Sequence, residues 1–152
     1  MRTSVQLALL AALLVSTNAV ADSRRTVVTH PAYQEECGSC HVAYPPRLLA
    51  APDWRRLMSG LGKHFGSDAS VSPELARDIG AFLEANAGRE GRGTASSAAP
   101  RITETSWFLH EHDEVAPGTF RSPAVKSAAN CGACHTGAGA GSYREREIRV
   151  PR

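Results

Sequence analysis

Apolar residues recur at helical spacing in two stretches of the first half of the chain. The first stretch places four of them on one side of a helix: Trp54, Leu57, Met58 and Leu61. The second stretch repeats the pattern with Leu75, Ile79, Phe82 and Leu83. Ser72 can cap the second helix, Pro73 suits its first position, and Gly88 follows its end. The spacing therefore predicts two amphipathic helices.

The second half of the chain carries weaker helical signals. Ser122 and Pro123 predict the start of a helix that runs into Cys131. Residues 107–115 predict another helix, because apolar positions recur there over about two turns. No sequence repeat beyond short cysteine motifs relates this half to the first.

A segment without apolar periodicity separates the two halves. Residues 89–100 are small, polar and rich in glycine, so they cannot bury a core and are predicted to form a linker. One small unit is then expected over residues 22–88 and another over residues 101–152. The predicted fold class is mainly α-helical, and neither unit has enough apolar side chains to build a large core alone.

All four cysteines fall in two matching patterns, CGSCH at residues 37–41 and CGACH at residues 131–135. Each is a Cys-x-x-Cys-His motif, in which two thiols add to the vinyl groups of a c-type haem and the imidazole binds the iron. The six candidate cofactor-binding residues are Cys37, Cys40, His41, Cys131, Cys134 and His135. A dithiol redox pair or a four-thiolate zinc site would not require a histidine directly after each pair. The chain is therefore predicted to carry two covalently bound haem c groups with iron.

Covalent haem changes the expected architecture, because it can serve as the apolar centre of each small unit. A helix leading into the first motif, a middle helix and a terminal amphipathic helix make the first unit similar to a class I cytochrome c domain. The second unit is predicted to be a further haem domain. Without haem, the chain is expected to be largely unfolded.

The N-terminus indicates export. Arg2 precedes the apolar run at residues 7–15, and Ala19-Val20-Ala21 is a cleavage pattern, so residues 1–21 are predicted to be a signal peptide. The run is too short to span a bilayer, although a retained anchor is the alternative. In a bacterium the expected location is the periplasm, where c-type haem is attached. The formal net charge of +2 gives no indication of nucleic-acid binding.

The second axial position of each iron needs a ligand from outside the motifs. Four histidines are available: His30, His64, His110 and His112. Met58 is the one methionine after the predicted signal peptide, so at most one haem could have a methionine ligand, and its place on an apolar stripe favours core packing. His64 continues that stripe just before Phe65-Gly66, where the chain is predicted to turn. It is the favoured candidate at the first haem.

The second haem has two neighbouring candidates. His110 and His112 are two residues apart and cannot share one helix face. His112 falls on a stripe with Phe108 and Val115, whereas His110 lies on a more mixed face. Periodicity favours His112, and His110 stays open as the alternative.

Four segments together resemble the small dihaem cytochrome c family, DHC. They are residues 36–46 around the first motif, Trp54 to Gly66, Trp107 to Glu114, and residues 125–130 before the second motif. The resemblance implies a class I domain, a short linker and a C-terminal haem domain of unusual structure. It also implies two bis-histidine haems, with His64 from the His-Phe-Gly match and His112 from the Trp-x-x-x-x-His-x-Glu match. His30 matches no family ligand and is expected to be exposed.

Function is expected to follow from coordination. Two imidazoles leave no open position on the iron, so such a site carries electrons and does not activate a substrate, and the protein is predicted not to be an enzyme. The resemblance implies an upstream electron donor and donation to an oxygen-binding partner, sphaeroides haem protein. The alternatives are a haem peroxidase or small-molecule reductase with a labile ligand, and an electron-transfer subunit of a periplasmic reductase.

Overall fold

The computed structural model describes residues 29–89 and 100–151. Five α-helices follow one another in these ranges: α1 (Pro31–Cys37), α2 (Ala51–Met58), α3 (Pro73–Ala85), α4 (Ser106–Glu111) and α5 (Pro117–Phe120). Short 3-10 turns lie between or after these helices, and isolated β-bridges pair Ala50 with Gly88, His64 with Ser67 and His135 with Ile148. The prediction of a mainly helical fold is confirmed. The predicted signal peptide, residues 1–21, and linker positions 90–99 lie outside the described residues.

Helix α1 leads directly into the first cysteine motif, as predicted. Pro31 occupies its first position, where the missing N–H costs nothing. The Nδ1 atom of His30 accepts a hydrogen bond from the Tyr33 N–H at 3.3 Å and so caps the helix. The Nε2 atom of the same ring lies 3.3 Å from the Asp78 carboxylate. His30 is therefore half-buried and structural, and the expectation that it is exposed is wrong.

Helices α2 and α3 pack against each other and form the main core with α1. The buried apolar residues of this core are Tyr33, Leu49, Trp54, Ile79, Leu83 and Ile102. Burying a side chain of this size contributes about 1.5–3 kcal/mol. The Ser72 hydroxyl accepts a hydrogen bond from the Leu75 N–H at 3.3 Å, which confirms the predicted cap of α3. All four residues of the second predicted stripe and three of the first thus face one core, whereas Leu61 lies in a 3-10 turn after α2 has ended at Met58.

Gly88 closes this core beyond the end of α3. Its N–H donates to the Leu49 carbonyl at 2.8 Å. A Cβ atom at this position would lie 2.2 Å from the Arg47 carbonyl oxygen, which no side chain can tolerate. Glycine is therefore required for the chain leaving α3 to approach the segment before α2.

The two halves of the described chain are in contact. Ile102, from the predicted second unit, packs into the core of the first half. The Tyr44 hydroxyl donates to the Ala129 carbonyl at 2.7 Å. A division into units at residues 22–88 and 101–152 stays a prediction.

The second half has less helix than its sequence predicted. Helix α4 covers Ser106–Glu111 and ends before Val115. The predicted helix from Ser122 to Cys131 is wrong: turns fill this segment, and Lys126 adopts a left-handed conformation with φ of 69°. Because Val125 is the one deeply buried residue there, no apolar stripe stabilises a helix. Within the described ranges, no helix is long and apolar enough to cross a membrane.

Candidate haem sites

Two pairs of imidazole rings face each other, one pair beside each cysteine motif. In the first pair, the ring centres of His41 and His64 are 6.3 Å apart and the ring planes differ by 27°. In the second pair, the ring centres of His112 and His135 are 6.1 Å apart and the planes differ by 76°. The structure thus brings together one motif histidine and one distant histidine at each site.

These separations can be compared with what one shared metal ion requires. A metal–imidazole bond is about 2.0 Å long and the ring centre lies about 1.2 Å behind the bonding nitrogen, so two opposed rings need about 6.4 Å. The observed 6.3 and 6.1 Å agree with this value. Rings in direct stacking contact would be closer. The residues present therefore fit an iron atom between each pair.

His41 is held on its motif side by two contacts. Its Nδ1–H donates to the Val42 carbonyl at 2.8 Å, which leaves Nε2 free to bind a metal. The Tyr44 ring stacks on the imidazole, with centres 4.5 Å apart and planes within 16°. Both contacts fix the orientation of the ring.

His64 sits at the start of a tight turn. The Ser67 N–H donates to its carbonyl at 3.0 Å, and the two residues between have positive φ, 51° at Phe65 and 99° at Gly66. The Arg101 guanidinium lies 4.0 Å above the Phe65 ring, which anchors the turn to the second half of the chain. Burial lowers the pKa of His64, and His41 and Arg101 lower it further. The imidazole is therefore neutral at neutral pH and can ligate a metal.

His112 is positioned by a series of local hydrogen bonds. The buried Thr105 hydroxyl accepts from the Phe108 N–H at 3.1 Å and caps α4. The Phe108 carbonyl then accepts from His112 Nδ1–H at 2.9 Å, and the Phe108 ring stacks on the imidazole at 4.1 Å. His112 is the residue that ends α4, not a member of a longer helix. The hydrogen bond at Nδ1 leaves Nε2 free to bind a metal, and the ring centre lies 6.1 Å from that of His135.

His135 differs from the other three rings in its outer contacts. A β-bridge pairs its backbone with Ile148, and its Nδ1 atom is buried without a hydrogen-bond partner. The Tyr143 ring centre is 5.3 Å away, and the Tyr143 hydroxyl is also buried and unpartnered. Burial lowers the pKa of His135, and His112 adds to the effect.

The cysteines have the environment of haem-attachment thiols and not of reactive thiolates. All four are free. Burial, followed by the Glu36 carboxylate, raises the pKa of Cys37 to about 11, and burial raises the pKa of Cys131 and Cys134. A redox dithiol works through a thiolate of lowered pKa, so the raised pKa values argue against that chemistry. Within the described residues, no three His, Cys, Asp or Glu side chains converge on a metal position.

The remaining candidates lie elsewhere. His110 is exposed on α4, and His30 caps α1. Met58 packs partly buried against the core.

Sequence reasoning missed Thr105, although a threonine directly before an apolar helical run is a cap signal. It also missed Tyr44, because the hydrogen bond from its hydroxyl to the Ala129 carbonyl joins residues far apart in the sequence and has no local signal.

A small helical protein with two Cys-x-x-Cys-His motifs, each facing a second imidazole, is a c-type cytochrome with two haem sites. The family model described as dihaem cytochrome c matches residues 33–143. The chain belongs to this family, and its cofactors are accordingly two covalently bound c-type haems.

Two solved proteins have a similar structure. A dihaem cytochrome c from Shewanella baltica OS155 is 35% identical, with a TM-score of 0.69 over 79% of this chain and 91% of that one. A dihaem cytochrome c from Rhodobacter sphaeroides is 42% identical, with a TM-score of 0.67 over 77% of this chain and 98% of that one. The search of curated proteins found no match.

Proposed function

We propose that this protein is a periplasmic electron carrier in which each haem iron is bound by two histidines. The observation that carries the proposal is the 6.3 and 6.1 Å separation of the two imidazole pairs. Cys37 and Cys40 would attach the first haem and Cys131 and Cys134 the second. His41 with His64, and His135 with His112, would supply the axial nitrogens.

The protein's contribution is a fixed ligand geometry. When bound, each haem supplies a one-electron iron couple. The hydrogen bonds to the Val42 and Phe108 carbonyls hold one ring of each pair in place before and after electron transfer. Little rearrangement of the ligands then opposes the transfer. Imidazole in place of methionine also favours the ferric state, so both reduction potentials are expected below those of His/Met cytochromes.

A carrier role, as opposed to an enzymatic one, follows from the same arrangement. Two protein ligands occupy both axial positions, which leaves none for peroxide or a small molecule. The reduced protein is expected to bind carbon monoxide slowly and to show no appreciable peroxidase turnover. Fast carbon monoxide binding together with peroxide turnover in the wild type would favour an enzyme with a labile ligand.

The direction of electron flow and the cellular location rest on sequence features. The predicted signal peptide at residues 1–21 supports export to the periplasm. Resemblance to the DHC family supports an upstream electron donor and an oxygen-binding haem protein as the acceptor. Stopped-flow mixing of the reduced protein with such an acceptor tests this. Reduction should be fast, and should slow with salt if complementary charges guide docking.

Ligand identity is tested by histidine substitution. His64→Ala and His112→Ala should each convert one haem, and only one, to a high-spin or ligand-exchangeable form in low-temperature EPR of the oxidised protein. Met58→Leu and His110→Ala are the matched controls and should leave both haems low-spin. A change at one haem in His110→Ala, with none in His112→Ala, would reverse the assignment at the second site.

A further inference from the structure

The three tyrosines of the chain meet where the two haem sites approach each other. The Tyr33 hydroxyl donates to the Tyr44 carbonyl at 2.7 Å. Burial raises the pKa of Tyr44, and the nearby Cys131 thiol and Tyr143 phenol raise it further. The same thiol also raises the pKa of Tyr143, after burial, to about 12. The Tyr143 ring centre lies 5.3 Å from that of His135, so the cluster reaches the second haem site.

Tyr44 touches both sites with different parts of its side chain. Its ring stacks on the imidazole of His41 at 4.5 Å. Its hydroxyl donates to the Ala129 carbonyl at 2.7 Å, two residues before Cys131. One rigid side chain thus joins an axial ligand of the first haem to the backbone that carries the second.

We propose that Tyr44 is the positioning residue for electron transfer between the two haem sites of this chain. The inference rests on the proposed carrier function. The stacked ring fixes the His41 side, and the hydroxyl fixes the Cys131 segment relative to it. Transfer needs no proton and no change of bonds: one site loses an electron and is oxidised, and the other gains it and is reduced.

Apart from the bond from Tyr44, most hydrogen bonds of the second attachment segment, residues 122–130, are made to near neighbours in the chain. Residues 122–130 contain turns and no helix, and Asn130 and Cys131 are not deeply buried. Inside the segment, the Asn130 side chain donates to the Val125 carbonyl at 3.0 Å, which is a local contact. The hydrogen bond from Tyr44 ties this segment to the first haem site across 85 residues. Its loss should let the two sites shift relative to each other.

The test compares two tyrosine-to-phenylalanine variants of the haem-loaded protein. Tyr44→Phe keeps the ring on His41 and removes the hydroxyl. Tyr33→Phe is the matched control, because it removes a hydrogen bond of the same 2.7 Å length from the same cluster and leaves the Tyr44 side chain intact. Flash photoreduction measures the rate of electron transfer between the haems. EPR of the oxidised protein measures the spin state of each haem and the dipolar interaction between them.

Tyr44→Phe should slow transfer between the sites by about tenfold or more, because small displacements of positioned groups have effects of that order. The dipolar interaction should weaken, while both haems stay low-spin. Tyr33→Phe should match the wild type in all three readouts. Incorporation of 4-aminophenylalanine at position 44 restores a donor beside the Ala129 carbonyl and should restore the rate. A 4-fluorophenylalanine at position 44, which keeps the ring and lacks the donor, is the second test variant if Tyr44→Phe fails to fold.

Two results would overturn the inference. One is an unchanged rate and dipolar interaction in Tyr44→Phe, and the other is an equal loss in Tyr33→Phe. If Tyr44→Phe fails to fold, an unchanged rate and dipolar interaction in the 4-fluorophenylalanine protein overturns it in the same way. Failure of the carrier proposal would look different, because the wild type would then contain a high-spin or ligand-exchangeable haem before any substitution.

Discussion

The Thr105 hydroxyl is the first member of the hydrogen-bond series that positions His112. It is fully buried, accepts from the Phe108 N–H at 3.1 Å and donates to the Ile102 carbonyl at 2.8 Å. Thr105→Val keeps the shape of the side chain and removes both bonds. Helix α4 has only six residues, which is too few to be stable without its cap and its packing. The substitution is therefore expected to release the helix that ends at His112.

The expected loss of unfolding free energy depends on which groups lose a hydrogen-bond partner. The Ile102 carbonyl keeps a bond from the Thr105 backbone N–H at 3.2 Å, so it is not left unpaired. The Phe108 N–H does lose its acceptor. Loss of a threonine cap costs about 1–2 kcal/mol and an unpaired buried donor about 1–3 kcal/mol, and because these describe the same group we expect about 2 kcal/mol in total. The free energy of unfolding of a small protein falls by about 2 kcal/mol for each molar of urea. The urea concentration at the unfolding midpoint should therefore fall by about 1 M.

The assay is urea unfolding of the oxidised haem protein, followed through the loss of low-spin absorption. Thr103→Val is the control, because within the described residues the Thr103 side chain makes no hydrogen bond. If His112 serves the second site alone, as proposed, one haem should lose its low-spin spectrum at lower urea than the other in Thr105→Val. A midpoint shift below about 0.3 M, or one equal to that of the control, would refute the reasoning.

Three further outcomes are expected. Denaturing mass spectrometry should show the polypeptide plus two haems, and a mass of polypeptide alone together with bound zinc would contradict the cofactor assignment. Gly66→Ala should destabilise the protein by about 1 kcal/mol because of its φ of 99°, whereas Gly80→Ala in α3 should stabilise it by about 0.5–1 kcal/mol. An added methyl group meets no atom within 4 Å at either position, so equal thermal unfolding temperatures would rule out backbone strain as the cause. Leu83→Ala in the core should cost about 2–5 kcal/mol by denaturant titration, and exposed Leu109→Ala should cost far less.

Local sequence signals determined the cofactor, the start of α3 and most of the core of the first half. Two Cys-x-x-Cys-His motifs specify the cofactor because thiol addition needs only residues that are neighbours in the chain. The cap and first turn of α3, at Ser72 and Pro73, were predictable for the same reason. The apolar stripes of the first half identified the core because an amphipathic helix must bury one face. Periodicity also favoured His112 over His110, and the structure places His112 opposite His135.

Only the tertiary structure decided what depends on contacts between distant segments. Residues 122–130 look helical from Ser122 and Pro123, but without an apolar face to bury they form turns. His30 carries no sequence signal for its contact with the Asp78 carboxylate, and Ile102 none for its place in the first core. The bond from Tyr44 to the Ala129 carbonyl spans 85 residues, a separation at which no spacing rule applies. Sequence determines which groups are present and the local backbone that carries them, whereas the relative position of the two haem sites depends on packing between segments that folding alone brings together.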